Sequence, residues 1–94
     1  MTKSHAELSE QVGATVRAII REILREPSLV VDSDDDLRDQ LGLDSADLAE
    51  LIVQLENRLG VGLPDDTFEL TDDGDPLGTV GSVTRAVAGR ILQA

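Results

Sequence analysis

Ser45 is the side chain in this sequence whose setting points most clearly to chemistry. It stands in Gly42-Leu43-Asp44-Ser45-Ala46-Asp47-Leu48, where a loop must turn into an apolar-periodic segment, and a hydroxyl presented there can accept a covalently attached group. A serine-histidine device is disfavoured, because His5 is the sole histidine and lies in a polar terminus expected to fray. Cysteine is absent, so there is no thiolate nucleophile, thiolate metal site or disulfide. Asp32, Asp34 and Asp36 occupy the first, third and fifth positions of a calcium loop. Leu37 then falls where that loop needs glycine, and Leu43 where it needs a bidentate glutamate. Only weak divalent-ion binding is expected there or at Asp72, Asp73 and Asp75. No glycine-rich phosphate loop is present, and the paired acids Asp65-Asp66 and Asp72-Asp73 read as caps and solvated turns.

The chain that must position Ser45 has 94 residues, the size of one small domain, with 40% apolar residues for a single core. We therefore expect one domain over residues 1–94, with residues 1–6 frayed. The formal charge of −11 excludes an affinity for polyanions, and Phe68, the only aromatic residue, offers no stacking platform for nucleic acid. Residues 32–75 hold fifteen of the nineteen acids and only two bases, Arg38 and Arg58, so a partner that docks there should be basic. The polar start has neither the apolar stretch nor the cleavage site of a secretory signal, and no apolar run is long enough for a membrane span. A cytoplasmic, monomeric protein is expected, either free-standing from Met1 to a closing helix or excised from a larger synthase.

Three substantial helical patterns emerge. In the first, Leu8, Val12, Val16, Ile19, Ile20, Ile23 and Leu24 recur at spacings of three and four, Arg17, Arg21 and Arg25 form a polar stripe, and Pro27 stops the helix near Arg25 or Glu26. A long connection, residues 28–43, follows. Leu29, Val30, Leu37 and Leu41 could pin it to the core, with a short helical turn over residues 35–40 ended by Gly42. The second helix covers about residues 45–59, with Leu48, Leu51, Ile52, Leu55 and Leu59 on one face and Gly60 closing it. A short third helix is predicted over residues 65–70 after Pro64. The last runs from about 80 to 93, capped by Thr79 and burying Val80, Val83, Val87 and Ile91. Gly81 and Gly89 each weaken it by about 1 kcal/mol relative to alanine, so packing must hold it. The expected fold is an all-α four-helix bundle with a long first loop and a short third helix.

An aspartate or serine before an apolar helix is usually a cap, accepting a hydrogen bond from a first-turn amide. Here Asp44 can cap alone. With Leu43 drawn to the core and Gly42 allowing a tight approach, the Ser45 hydroxyl is left free to point outward.

In these residues the sequence resembles the acyl carrier protein family, whose motif of Gly, Leu or a similar residue, Asp, Ser and usually Leu starts the second of four helices. The resemblance extends over nearly the whole chain. The long first helix, the acidic loop, Leu-Gly-Val-Gly-Leu-Pro-Asp-Asp at 59–66 and the Thr79-Val80 helix start fall in family order. It implies a 4′-phosphopantetheine arm on Ser45, beside Asp44, added from coenzyme A by a phosphopantetheinyl transferase and holding acyl intermediates as thioesters. It implies a carrier without catalytic residues of its own, docking basic patches of acyl-loading and acyl-processing enzymes through Asp47, Glu50 and Glu56 with Ala46, Ala49 and Val53. The departure is Ala46, where most relatives have leucine or methionine. It bears on partner choice and tilts the expected pathway from fatty-acid synthesis toward polyketide or mixed peptide synthesis. A phosphodiester on Ser45 would gain about 0.3–1 kcal/mol from the helix N-terminus, opposed by Asp44 and Asp47, so it should lean into solvent. The competing reading is an acidic helical adaptor or inhibitor that uses the same face without covalent modification. A hydrolase using Ser45 is a third. The apolar residues Val53, Leu63, Phe68, Leu70 and Val83 could line a space for cargo, although core packing is their default role.

Overall fold

The computed structural model describes residues 5–93. Three helices, α1 (His5–Leu24), α2 (Ser45–Leu59) and α3 (Val80–Gln93), account for the regular structure, with a single 3-10 turn at Asp65–Thr67 between the last two. Among the described residues the fold is all-helical, without strands beyond two isolated bridges. Both α2 and α3 pack on α1. The expected fraying of residues 1–6 meets a helix that starts at His5, while residues 1–4 lie outside those described.

The core is the one the spacings select. Val12, Val16, Ile19 and Ile20 of α1, Leu48, Leu51 and Leu55 of α2, and Val80, Val83, Val87 and Ala88 of α3 are all buried, with Ile52, Leu59 and Ile91 packed half-exposed at its edge. Helix α1 ends where Pro27 requires. Arg25 takes a left-handed conformation (φ 58°), its N–H donates to the Glu22 carbonyl and that of Glu26 to the Arg21 carbonyl, closing the last turn. Thr79 caps α3 as expected, its Oγ1 accepting the Ser82 N–H at 3.2 Å while the Ser82 hydroxyl oxygen accepts the Thr79 N–H at 2.8 Å.

One expected element differs. The third helix shrinks to one 3-10 turn, because Phe68 is extended (φ −116°, ψ 145°) and buries its ring in the core, after which the chain doubles back in a loop bridged between Leu70 and Pro76. The four-helix bundle is thus three helices and a turn. The short turn expected over residues 35–40 is present, the Gln40 N–H donating to the Asp36 carbonyl at 3.2 Å, but it does not lengthen into a helix, with Asp36 bridged to Thr79 and the Leu37 N–H donated to the Gly78 carbonyl.

The long first loop is tied at both sides. Its carbonyls at Asp35 and Ser33 accept the N–H groups of Val80 and Gly81, which open α3 and have no partner within the helix. Gly81 is needed for that approach, since a Cβ there would stand 3.2 Å from the Ser33 carbonyl oxygen; nothing in the structure explains Gly89. On the other side, Arg17 Nε donates to the Val31 carbonyl (2.9 Å) and Arg21 Nε to the Leu29 carbonyl (2.7 Å), so the arginine stripe holds the loop rather than only facing water. Leu37 is fully buried and Leu29 and Leu41 pack against the core, but Val31 takes the inward place and leaves Val30 75% exposed. The loop leaves Val30 outside because the arginines draw the carbonyls on either side of it, at 29 and 31, toward α1.

Two outcomes follow from this arrangement. Leu37→Ala should lower stability in urea titration by about 2–5 kcal/mol, whereas Val30→Ala should stay within about 0.5 kcal/mol; equal effects would show the loop does not belong to the core. Arg58 of α2 pairs with Glu22 of α1 at 2.7 Å. The Arg58 hydrogen bond lowers the Glu22 pKa from its ordinary 4.5 despite an opposing desolvation, so the pair stabilises the fold above that value and loses its effect as pH falls through the lowered one. Glu22→Gln should therefore lower the urea midpoint slightly at pH 7 and leave it unchanged in strong acid, because exposed ion pairs contribute little.

Candidate functional site

The start of α2 is fixed by residues on both sides of Ser45. Leu43 and Leu48, the positions just before the cap and one turn inside, are both buried and hold the approach of the chain to the core. Asp44 is the cap itself. Its backbone is extended (φ −109°, ψ −174°), its Oδ1 accepts the Asp47 N–H at 2.8 Å, and the Asp47 Oδ2 accepts the Asp44 N–H at 3.3 Å, a reciprocal box. At the far end Gly60 closes the helix in a left-handed conformation.

Ser45 is therefore the first residue of α2 and not its cap. Its side chain is exposed and its hydroxyl makes no hydrogen bond to any described residue. The aspartate has taken the third-position amide that a capping serine would have used. What remains is a solvent-facing primary alcohol on a rigid helix start, with no histidine or other base bonded to it to raise its nucleophilicity. Such a group can accept a group that another protein transfers.

The family comparison can be set beside that geometry. Residues 14–73 match the phosphopantetheine attachment site family. The chain belongs to this family. The match covers nearly two thirds of the sequence, from the middle of α1 through the loop, α2 and the 3-10 turn, and ends inside the loop that precedes α3. The group it carries is 4′-phosphopantetheine, covalently attached, and domains of this family generally act as carriers that meet modifying and processing enzymes. No solved structure matches the chain. The residues present fit such a group: an exposed hydroxyl without an internal partner, on a helix whose cap is satisfied by another side chain. The group supplies a terminal thiol that holds acyl chains as thioesters.

The other residues singled out by sequence fall in two sets. Ala46, Ala49 and Val53 are exposed on α2, Val53 at 50%. Asp47 and Glu50 line a groove of about 410 Å³ between α1 and α2, together with Gln54, Glu22, Ile23 and Arg25. Gln54 donates to Glu50 at 3.0 Å, so the acids are partly ordered by their own helix. Glu56 stands apart: it is half-buried and its carboxylate accepts the Leu63 N–H at 3.0 Å, which stabilises the turn after α2. Of the five apolar candidates for lining, Leu63, Phe68 and Val83 are core residues, whereas Val53 and Leu70 are exposed, against their default assignment, because α2 turns position 53 outward and the reversal after Phe68 turns position 70 out.

Of the calcium-like acids, Asp36 acts within the loop, its carboxylate accepting the N–H groups of Arg38 and Asp39, while the carboxylate of neighbouring Asp35 accepts the Asp32 N–H. No group of three acidic, histidine or cysteine side chains able to hold a metal occurs among the described residues, and no helix there is long and apolar enough to cross a membrane.

Sequence reasoning missed one neighbour of Ser45. A Cβ added to Gly74, 29 positions away, would lie 3.9 Å from the Ser45 Cβ. Helical periodicity carries no signal for it, because the contact is made by a loop.

Separating the cap from the hydroxyl gives a direct check. Asp44→Ala should cost about 0.5–2 kcal/mol of stability in urea or thermal unfolding, while Ser45→Ala should change it by no more than about 0.5 kcal/mol. The reverse ranking would make Ser45 the cap and leave no free hydroxyl.

Proposed function

We propose that this chain is an acyl carrier protein formed by one carrier domain, with the phosphopantetheine arm on Ser45 and acyl intermediates delivered as thioesters to separate enzymes. The observation that supports this most is the Ser45 hydroxyl left exposed and unbonded at the first position of α2 while Asp44 satisfies the cap. In modification, the Ser45 oxygen attacks the phosphorus of coenzyme A that bears the pantetheine arm, the Oγ–P bond forms as the bond from that phosphorus to the bridging oxygen of the diphosphate breaks, the hydroxyl proton passes to a base of the transferase, and adenosine 3′,5′-bisphosphate leaves. The transferase supplies the base and the metal for that step. This chain supplies the alcohol, its orientation and the docking surface.

The same cap explains a mobile arm. The third-position amide is occupied by Asp44, and the carboxylates of Asp44 and Asp47 repel a phosphate from the helix start, so the diester stands out in solvent where it can enter an enzyme. Tethering then turns each encounter of substrate and enzyme into a local search at high effective concentration.

Docking falls to the exposed side of α2. Ala46, Ala49 and Val53 provide a low apolar strip, and Asp47 and Glu50 provide charge at the α1 edge. Glu56, committed to the Leu63 N–H, supports the helix end instead. Charge steers encounter more than it sets affinity, so complexes with basic partner patches should be transient and weakened by salt. The place of action is the cytoplasm, the protein acts as a monomer, and the small residue at 46 favours polyketide or mixed peptide synthesis over fatty-acid synthesis.

Incubation with coenzyme A, magnesium and a broad-specificity phosphopantetheinyl transferase tests the reading by intact mass. One phosphopantetheine should be gained, and Ser45→Ala should gain none. An unchanged mass for the natural chain with every competent transferase tried would favour an unmodified acidic adaptor, and turnover of an ester without any transferase would favour a hydrolase.

A further inference from the structure

The loop over residues 69–77 is closed on itself, and its tip comes near the start of α2 at Gly74 and Ser45. The Leu77 N–H donates to the Glu69 carbonyl (2.9 Å), Leu70 bridges to Pro76, and the tip is tied by Thr71 N–H to the Asp75 carbonyl (2.8 Å), Gly74 N–H to the Thr71 carbonyl (2.9 Å) and Asp75 N–H to Thr71 Oγ1 (3.0 Å). Pro76 is fully buried and anchors the base of the loop in the protein. The tip is thus a fixed wall, and the residue it turns toward Ser45 is Gly74 (φ 89°).

We propose that Gly74 is a positioning residue for the Ser45 site: by carrying no side chain it leaves open the space beside Ser45 that a longer side chain at 74 would cover, and so determines whether a transferase can seat Ser45. The proposal rests on the reading of Ser45 as the attachment point. A methyl at position 74 would already stand in ordinary van der Waals contact with the Ser45 Cβ, at 3.9 Å. The Ser45 hydroxyl oxygen is not within 4 Å of that added carbon, so a methyl leaves it clear, and only the further heavy atoms of a longer side chain at 74 extend toward the space of the attacking oxygen and the phosphate it must reach. Near-attack geometry is sensitive at that scale, a misplacement of about 1 Å costing up to about a hundredfold in rate.

The left-handed backbone at Gly74 makes any substitution strained, so size must be separated from strain. Gly74→Ala and Gly74→Leu share the backbone penalty and differ in bulk beside Ser45. Gly60→Ala and Gly60→Leu form the control, since Gly60 is also left-handed (φ 64°) but an added Cβ there meets nothing within 4 Å. With coenzyme A and a phosphopantetheinyl transferase, kcat/KM for the carrier should be about tenfold or more lower for G74L than for G74A. The KM for coenzyme A should be unchanged, and G60L and G60A should be equal. Should G74L fail to fold by circular dichroism, Gly74→Asn, which tolerates positive φ better, against G74A carries the comparison, with asparagine the slower. Equal rates across the Gly74 substitutions overturn the proposal. Failure of the natural chain to be modified, or modification of Ser45→Ala, would instead overturn the assignment of Ser45 itself.

Discussion

Everything at the candidate site depends on which side chain satisfies the first turn of α2. A helix start leaves amides without partners, and a serine beside them ordinarily folds back to accept one. In this chain the Asp44 carboxylate takes the Asp47 N–H, Asp47 answers to the Asp44 N–H, and Leu43 and Leu48 bury the chain on either side of that box. The consequence is a division of labour between adjacent residues: position 44 carries stability and position 45 is released from it. A hydroxyl placed there can be modified without unfolding the element that presents it.

The rigidity of that presentation comes from contacts distant in sequence. Residues 28–43 lead into the site, and such a length of irregular chain would be mobile if left to itself. It is held because it satisfies α3: the Ser33 and Asp35 carbonyls accept the amides that open that helix, while Arg17 and Arg21 of α1 take up the carbonyls of Val31 and Leu29. Leu37 plants the middle of the loop in the core. The connection therefore couples α1 and α3 to the residue that begins α2, and the acids along it serve mainly as local turn formers.

What could be read from sequence was whatever depends on near neighbours. The three- and four-residue spacing of aliphatics located α1, α2 and α3, and Asp44 and Thr79 could be recognised as caps because a cap needs only the amide three residues on. The irregular segments were less legible. Val31 buries in place of Val30 because the arginines of α1 set the loop's register, and the segment over 65–70 contracts to Asp65–Thr67 because Phe68 reaches the core in an extended conformation. The family resemblance matches Glu56 to a docking position, and its carboxylate accepts the Leu63 N–H beyond the helix end. The apposition of Gly74 and Ser45 lay beyond any periodic pattern, since the intervening turn and loop closure decide it.

Family membership establishes the group that the chain carries, and the geometry favours one hydroxyl as its anchor. Fragmentation mass spectrometry of the chain isolated from its native host tests that link most directly, because it locates the modification residue by residue. The account predicts a phosphopantetheine, free or acylated, on the peptide containing Ser45 and on that oxygen alone. A modification mapped to Ser33, Ser82 or any other side chain, with Ser45 bare, would contradict it.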